Sequence, residues 1–306
     1  MQEVDAADGL EERKLGAVTV LFGQNGGKYP DGNALLVEGS GETVLIDPAL
    51  GCLSRRKRLS RVDRVLNTHC HEDHIAGNHL FPDRPWHIHE LDAVGLRSLD
   101  HMMKIYGYPE PMLSQFREVV RERFHYAPRP EVEKFRDGDV FDLGGTRIRV
   151  IHAPGHTRGH SVFYIEPDEI LCLGDIELTS FGPYYGDAWS DLEDFERSLA
   201  LVRGIEARYY ATFHHIGVLE RDAFLLRLGR FEAKIVERET RLLEFLREPR
   251  SLDEVSAHRF VYRPGDLVPI AEAVERRSMA QHIARLLRDD RVCEVEEGRY
   301  LAVRGA

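Results

Sequence analysis

Alternating apolar and polar residues predict that short β-strands dominate the first two-thirds of the chain. The predicted strands cover residues 17–22, 33–38, 43–46, 61–67, 86–88, 140–143, 146–152, 161–165, 170–173 and 208–213. Turns rich in Gly and Asn separate the earliest of these runs. The first fifteen residues are polar, and we expect them to be frayed.

Apolar residues spaced three and four apart predict helices in other segments. These helices cover residues 90–106, 112–125, 192–203 and 221–246. Beyond residue 250, Ser251 and Glu254 have the spacing of a capping box, which starts a helix. Two further helices at 268–277 and 278–288 and a hairpin at 291–303 indicate a winged-helix-like arrangement.

The length of 306 residues suits one large α/β domain with a small appendage. We expect a main domain over residues 1–219, with a helical insert at about 90–134, and a helical linker with the winged-helix-like domain over 220–306. No apolar run approaches the ~18–20 residues of a membrane span, and the acidic start lacks the pattern of a secretory signal. Four scattered cysteines argue against a disulfide framework, so we expect a cytoplasmic protein.

The charge balance argues against nucleic acid as a partner. The chain has 41 basic and 52 acidic residues, and residues 251–306 have nine against ten. Because neither part is basic, we expect a small-molecule substrate and neither a nucleic acid nor a membrane partner. We interpret the C-terminal segment as a packing or oligomer module, with a nucleic-acid reader as the alternative, and a homo-oligomer stays open.

The densest chemical signal is the stretch HCHEDH, which begins at His69 directly after a predicted strand. In an extended chain His69 and His71 point to the same side, and Asp73 and His74 fall where the chain turns toward a helix. Imidazole and carboxylate groups that converge from one loop suit Zn²⁺ and similar metals. The alternative interpretation is a run of surface histidines.

One loop cannot supply all the ligands of two metal sites, so we expect further ligands at the ends of later strands. Residues of the ligand type do follow those strands. They are His152, His156, His160, Asp175, His214 and His215. Each group follows the end of a predicted strand, and strand ends are the usual position of a site in an α/β protein.

The segments NTHCHEDHIAGN, APGHTRGHS, LGDIEL and ATFHHIG, in this order, resemble the metallo-β-lactamase-fold hydrolases. The resemblance spans residues 67–217 and implies a four-layer αββα sandwich with a dinuclear metal site on one rim. The ligands it implies for the first metal are His69, His71 and His156. Those for the second are Asp73, His74 and His214, with His215 as the rival of His214, and Asp175 would bridge both metals.

Details of these motifs indicate a branch of the family. A histidine at position 71 departs from the flavin-linked di-iron oxygen reductases and resembles the glyoxalase II, lactonase and ribonuclease branch. True β-lactamases usually lack the adjacent Asp–His pair that this chain has at Asp73 and His74, so penicillin hydrolysis is not expected.

The resemblance predicts a hydrolase with two divalent ions, Zn²⁺ or alternatively Fe or Mn. A metal-bridging hydroxide would attack a small ester, thioester or lactone, and Asp73 would orient it and handle its proton. Two alternatives stay open. One is a nuclease for RNA or single-stranded nucleic acid, and the other is an enzyme like the mononuclear iron persulfide dioxygenases.

The apolar residues of the insert have two possible roles. Met102, Met103, Tyr106, Tyr108 and Phe116 form either a lid over the metals or the core of the insert itself. The run at 182–186 with Asp187 and Trp189 is a second candidate rim. At strand spacing Cys70 points away from its histidine neighbours, so we expect it to pack, and His152 and His160 remain structural or outer-shell residues.

Overall fold

The structure is a computed structural model that describes residues 11–266 and 268–303. A first sheet has seven strands in chain order, with the last three strand pairs parallel. Its strands are β1 (Glu12–Leu15), β2 (Val18–Leu21), β3 (Ala34–Glu38), β4 (Thr43–Ile46), β5 (Arg64–Leu66), β6 (Trp86–His89) and β7 (Glu133–Phe135). The sheet therefore begins as an antiparallel meander and ends as a parallel sheet.

A second sheet has six strands in the order β13-β12-β11-β10-β9-β8. Its strands are β8 (Val140–Asp142), β9 (Arg147–His152), β10 (Ser161–Glu166), β11 (Ile170–Cys172), β12 (Tyr209–Ala211) and β13 (Val218–Glu220). Only β11 and β12 pair in parallel among the strand pairs described for this sheet.

Alternation along the strands explains how the two sheets pack. In β10 the side chains of Phe163 and Ile165 lie in the core between the sheets, whereas Val162 and Tyr164 lie on the opposite face. Because side chains of a strand alternate between its faces, both faces must be covered when both are apolar. Each sheet therefore needs a layer of helices on its outer face.

Two short 3₁₀ helices lie at Leu50–Arg55 and Asn78–Leu80, and eight α-helices of the described residues provide these layers and part of the C-terminal segment. They are α1 (Gln24–Gly27), α2 (Ala93–Arg97), α3 (Leu99–Tyr106), α4 (Met112–Glu122), α5 (Leu192–Gly204), α6 (Arg221–Phe245), α7 (Leu252–His258) and α8 (Ala271–Arg288). Helices α2, α3 and α4 cover the first sheet, and α5 and α6 cover the second. The expected four-layer αββα architecture is thus confirmed.

The C-terminal segment has its own small core. The end of α6 packs with α7, α8 and the hairpin of β15 (Val292–Glu296) and β16 (Arg299–Ala302), and β14 (Arg250–Ser251) pairs with β16. Ser251 and Glu254 form the predicted capping box. The two helices expected at 268–277 and 278–288 are instead one helix, α8, so that expectation is wrong. No Gly or Pro stands in α8 to divide it.

Two other expectations are corrected. Residues 12–15, expected to be frayed, form β1 because they pair with β2 in register, while residues 1–10 lie outside the described part. The helix expected over 90–106 divides at Ser98, whose extended backbone (φ −157°, ψ 133°) separates α2 from α3.

Within residues 11–266 and 268–303, no helix is long and apolar enough to cross a membrane.

Candidate metal centre

The candidate centre lies where several strands of the two sheets end. The residues concerned are Asp47 after β4, His69, His71, Asp73 and His74 after β5, His156 between β9 and β10, Asp175 after β11 and His214 after β12. The short strands deliver these side chains to one edge of the sandwich, which is the usual place for a site built on strand ends.

A first cluster contains His69, His71, His156 and Asp175, whose ligand atoms all lie within 4.8 Å of one another. His156 Nε2 is 2.9 Å from His71 Nδ1 and 3.1 Å from Asp175 Oδ2. His69 Nε2 is 3.9 Å from the same carboxylate oxygen. The structure thus brings together the residues predicted for the first metal.

A second cluster contains Asp73, His74 and His214, again with ligand atoms within 4.8 Å. Asp73 Oδ2 lies 2.9 Å from His214 Nε2. Asp175 Oδ1 lies 2.8 Å from His74 Nε2, so the Asp175 carboxylate contacts both clusters. This is the position that the sequence predicted for a bridging residue.

The choice between the two adjacent histidines follows from burial. His214 is buried with 2% of its surface exposed, and its Nε2 faces Asp73. His215 is exposed, and its backbone is left-handed, with φ at 58°. The geometry therefore places His214 in the cluster and leaves His215 outside it.

Backbone carbonyl groups hold two of the histidines from outside. His156 Nδ1 lies 3.0 Å from the Tyr184 carbonyl oxygen, and His214 Nδ1 lies 2.8 Å from the Gly27 carbonyl oxygen. Because a carbonyl oxygen only accepts, each of these Nδ1 atoms carries the ring proton. The Nε2 atom of each ring therefore faces the centre, where it can bind a cation once it carries no proton.

Asp47 orients two more histidines. His74 Nδ1 donates to Asp47 Oδ2 at 2.9 Å. The Thr68 hydroxyl donates to the same oxygen at 2.7 Å and lies 3.1 Å from His69 Nδ1, which therefore donates to it. Sequence reasoning missed Asp47, because one acidic residue before Pro48 resembles an ordinary turn. Its place after β4 was the only signal.

Asp187 plays the corresponding part for His71, whose ring is reversed. His71 Nδ1 faces His156, and its Nε2 lies 3.2 Å from Asp187 Oδ2. The other carboxylate oxygen accepts from the hydroxyls of Tyr108 at 3.0 Å and Tyr184 at 3.1 Å. Carboxylates that hold the outer nitrogen of a histidine are typical of metal sites.

Unpaired polar atoms show that this donor set fits divalent cations. Among the described residues, five buried atoms of the centre make no hydrogen bond, namely His69 Nε2, His71 Nε2, His74 Nε2, Asp175 Oδ1 and Asp187 Oδ2. A buried polar atom without a partner is costly, and His69 Nε2, His74 Nε2 and Asp175 Oδ1 belong to the two clusters that could hold cations. Imidazole nitrogen and carboxylate oxygen in this mixture suit Zn²⁺, Fe or Mn.

The carboxylates of the centre are held in their anionic form. Burial alone would raise the pKa of Asp175, but His74 and His156 outweigh it and hold the pKa well below its usual range. Burial likewise opposes the ionisation of Asp73, yet His74 and His214 lower its pKa. Both carboxylates are therefore ionised at neutral pH and can bind a cation.

The remaining histidines of the motifs have outer roles. His160 Nδ1 donates to the Ala153 carbonyl at 2.9 Å, and its Nε2 accepts from the Asp175 amide at 3.1 Å, so it positions that backbone. Burial lowers the pKa of His160 to about 3, which keeps it neutral. His152 instead bonds the Arg158 carbonyl, away from the clusters.

Two further residues, Cys70 and Glu177, lie within or next to the motifs. Cys70 packs against Gly95 of α2, since a Cβ at Gly95 would lie 2.8 Å from the Cys70 sulfur. Glu177, which sequence reasoning missed, forms a further group with Asp175 and His214 within 4.8 Å. Its only signal was its place two residues after Asp175.

A cavity of about 720 Å³ opens on the clusters. Its lining includes His71, Asp73, His156, Asp175 and His214 together with aromatic side chains, namely Tyr29, Tyr106, Tyr108, Phe116, Phe181, Tyr184 and Tyr262. Of the insert residues, Tyr106, Tyr108 and Phe116 line the cavity, whereas Met102 and Met103 are buried in the core over the first sheet. The insert therefore contributes both to a lid and to its own packing.

The fold and this site define a mixed α/β protein with two His/Asp clusters at the edge of a four-layer sandwich. Residues 29–221 match the sequence profile of the metallo-beta-lactamase superfamily. The chain belongs to this superfamily, as its motifs had indicated.

Comparison with individual proteins agrees with this assignment. A metallo-beta-lactamase family protein from Thermus thermophilus superimposes with a TM-score of 0.70 at 25% identity, covering 94% of this chain and 99% of that one. The hydroxyacylglutathione hydrolase of Methylococcus capsulatus is 28% identical over 235 residues, which are 74% of this chain and 79% of that protein.

An uncharacterized protein of Mycobacterium tuberculosis is 35% identical over 132 residues, 40% of this chain. The match spans about half of that relative's length, namely 55%.

Proposed function

We propose that this protein is a metal-dependent hydrolase that acts on a small ester, thioester or lactone through a dinuclear centre. The observation that carries the proposal is the pair of His/Asp clusters that meet at Asp175 and open into one aromatic cavity. A site that holds two cations beside an apolar chamber suits attack on the carbonyl of a small apolar substrate.

Seven residues would hold the cations. The first cation would be held by His69, His71 and His156, the second by Asp73, His74 and His214, and Asp175 would contact both. When bound, two divalent cations generate a hydroxide nucleophile near neutral pH and polarise the carbonyl oxygen of the substrate.

The protein's own residues supply orientation and proton transfer. The Asp73 carboxylate is buried, lines the cavity and lies 2.9 Å from His214 Nε2, so it can orient a water molecule and accept its proton. The aromatic walls exclude bulk water from the acyl group. Asp47, Asp187 and the carbonyls of Gly27 and Tyr184 keep the histidine rings aligned.

The relatives support the same class of reaction. A hydroxyacylglutathione hydrolase is named for an acyl group carried on glutathione sulfur, which is a thioester. We therefore place thioesters first among the three substrate classes, with Zn²⁺ as the metal and Fe or Mn as alternatives.

The test combines metal analysis with a substrate panel. Protein purified without chelators should contain about two metal ions per chain. It should hydrolyse at least one member of a panel of thioesters, lactones and aryl esters, lose that activity on chelation, and regain it when metal returns. Full esterase activity in metal-free protein would overturn the proposal.

The same panel separates the alternatives. Cleavage of single-stranded RNA, with binding that weakens steeply as salt is added, would favour a nuclease over the proposal. A single iron per chain with oxygen consumption on a persulfide would favour the dioxygenase alternative. Colourless protein with two zinc ions would exclude it.

A further inference from the structure

The C-terminal segment reaches the cavity over the metal centre. Tyr262, Val268 and Ile270 line it, although they lie far along the chain from the motifs that supply the clusters. Tyr262 packs edge-on against Phe181, another lining residue, with ring centroids 5.4 Å apart. One wall of the chamber is therefore built from residues outside the segment that matches the superfamily profile.

A buried carboxylate holds this wall in place. Glu275 of α8 is fully buried, and its two oxygens accept from three successive backbone amides, those of Phe260 at 2.9 Å, Val261 at 2.9 Å and Tyr262 at 2.7 Å. Three charge-assisted hydrogen bonds to adjacent residues fix the backbone direction. Glu275 thus sets where the Tyr262 ring stands.

Arg277, also on α8, fixes the same helix to the insert. Its guanidinium donates to the Tyr106 carbonyl at 2.7 Å and to the Gly107 carbonyl. Tyr106 lines the cavity on the insert side. Helix α8 therefore holds two walls of the chamber at a fixed separation.

The aromatic lining presents rings rather than hydroxyls to an occupant. The hydroxyl of Tyr106 donates to Glu72, and those of Tyr108 and Tyr184 donate to Asp187. Of Tyr106, Tyr108, Tyr184 and Tyr262, only Tyr262 has a hydroxyl without a hydrogen-bond partner among the described residues. The aromatic part of the lining therefore favours apolar contacts, beside the polar side chains of Thr179, Ser180 and Arg227.

We propose that this C-terminal wall is the acyl-selecting part of the site, that its occupant is a medium-length apolar acyl group, and that Glu275 is the positioning residue for Tyr262. The cavity of about 720 Å³ lies in the size range of small-molecule sites and is far larger than an acetyl group needs. Because the metal-cluster residues line the same cavity, an acyl chain seated there has its carbonyl beside them. This inference rests on the proposed hydrolase function.

The test measures chain-length selectivity in the metal-loaded protein. We expect the ratio of kcat/KM for S-octanoyl over S-acetyl N-acetylcysteamine to fall about tenfold in Tyr262→Ala, mainly through KM for the octanoyl compound. Tyr262→Phe should keep most of the ratio, because it retains the ring. Glu275→Gln should shift the ratio in the same direction as Tyr262→Ala, since its amide group cannot accept from all three amides.

Two control variants match these changes. Tyr300→Ala removes a tyrosine from β16, and Glu272→Gln changes an exposed acid one turn earlier on α8. Neither lines the cavity, so both should keep the native ratio and metal content. Equal ratios in Tyr262→Ala and native protein would overturn the inference.

A binding measurement separates this inference from the proposed function. Calorimetry should show that octanoate binds the metal-loaded protein more tightly than acetate, and that Tyr262→Ala removes this preference. If the protein hydrolyses no thioester but shows this preference, the reaction is wrong and the acyl wall stands. If it hydrolyses acetyl and octanoyl compounds alike and binds octanoate no better than acetate, the wall is wrong and the reaction stands.

Discussion

Each histidine of the centre is held by one ring nitrogen so that the other faces inward. The acceptors are the carbonyls of Gly27 and Tyr184, the Thr68 hydroxyl, and the carboxylates of Asp47 and Asp187. Their common effect is to fix the tautomer and the ring plane before a cation arrives. The outer acceptors are therefore as much a part of the site as the motif residues.

The sequence predicted the inner residues and an outer role for His160, but it missed Asp47 and gave Asp187 only as part of a rim, for a physical reason. The inner residues of the first loop are contiguous, and their alternation in an extended chain brings them together. Asp47 and Asp187 act from separate loops and are only two of 52 acidic residues. Their role depends on a contact made by tertiary packing, which a single sequence does not reveal.

Asp73→Ala tests the residue with the most demanding role. We expect kcat to fall by about 10²-fold or more with the fold intact, because a positioned acid–base group contributes about that much. His79→Ala is the control, since His79 is half-buried and its ring bonds only the Ala76 carbonyl at 2.8 Å. Steady-state kinetics and circular dichroism provide the readouts. Equal kcat values and metal contents for the two variants would contradict the role given to the first loop.

Asp187→Asn tests the outer support of His71. An amide in place of the carboxylate weakens the hold on His71 Nε2, so we expect metal affinity to fall by about 10-fold to 100-fold. Competition with a chelator of known affinity measures the change. Tyr184→Phe is the control, because it removes one hydroxyl from Asp187 without touching His71. Equal losses in both variants would mean that the tyrosine contacts, and not His71, explain the effect.

At the scale of elements, the central strands of the sheets were easier to predict than the edge strands. Central strands such as β10 are apolar on both faces, so their pattern is strong. The edge strands β1, β7 and β13 were missed, because three or four residues at an edge, where polar residues are tolerated, show little alternation, although β8 at another edge was predicted. The single helix α8 was divided in the prediction because no long-range contact was available to join its two halves.

The junction of α6 and α8 gives a pH-dependent prediction. Glu239 on α6 lies beside His282 and Arg285 of α8 and beside Arg291, and Arg285 also contacts Glu196 of α5. Burial opposes the charge of Glu239, but the hydrogen bonds from His282 and Arg285 outweigh it and lower its pKa to about 2. In the unfolded chain a glutamate has a pKa of about 4.3. The carboxylate therefore stabilises the fold above that value, and the contribution is lost as pH falls toward 2.

Glu239→Gln should lower the free energy of unfolding at neutral pH by about 1–2 kcal/mol. The expected loss is small because Glu239 is partly exposed, so that water screens its ion pairs. Urea denaturation at about pH 7 and about pH 3.5 should show the difference from native protein shrinking at the lower pH. Glu244→Gln is the control on the same helix, because its side chain is 67% exposed and its ion pair is local. A difference that grows as pH falls would contradict the assignment.

At the scale of the whole molecule, two sheets and their loops must meet for the centre to form. The first sheet supplies His69, His71, Asp73 and His74, and the second supplies His156, Asp175 and His214. A cation that binds both sets links the two halves of the sandwich. Metal binding should therefore stabilise the native fold against unfolding, by an amount set by its concentration relative to its dissociation constant.

The division into two clusters predicts how metal content responds to single substitutions. Native protein should retain about two ions per chain after dialysis. His156→Ala removes a residue of the first cluster and His214→Ala one of the second, so each should retain about one ion. Asp175→Ala should weaken both sites, because its two oxygens contact His74 and His156 respectively. His215→Ala, beside His214 but outside the second cluster, should retain both ions.

Elemental analysis measures the metal content of each variant, and thermal unfolding with and without chelator measures the stabilisation. Retention of both ions by His214→Ala, with loss in His215→Ala, would reverse the assignment of the last ligand. Loss of both ions in His156→Ala and in His214→Ala would show one indivisible site instead of two.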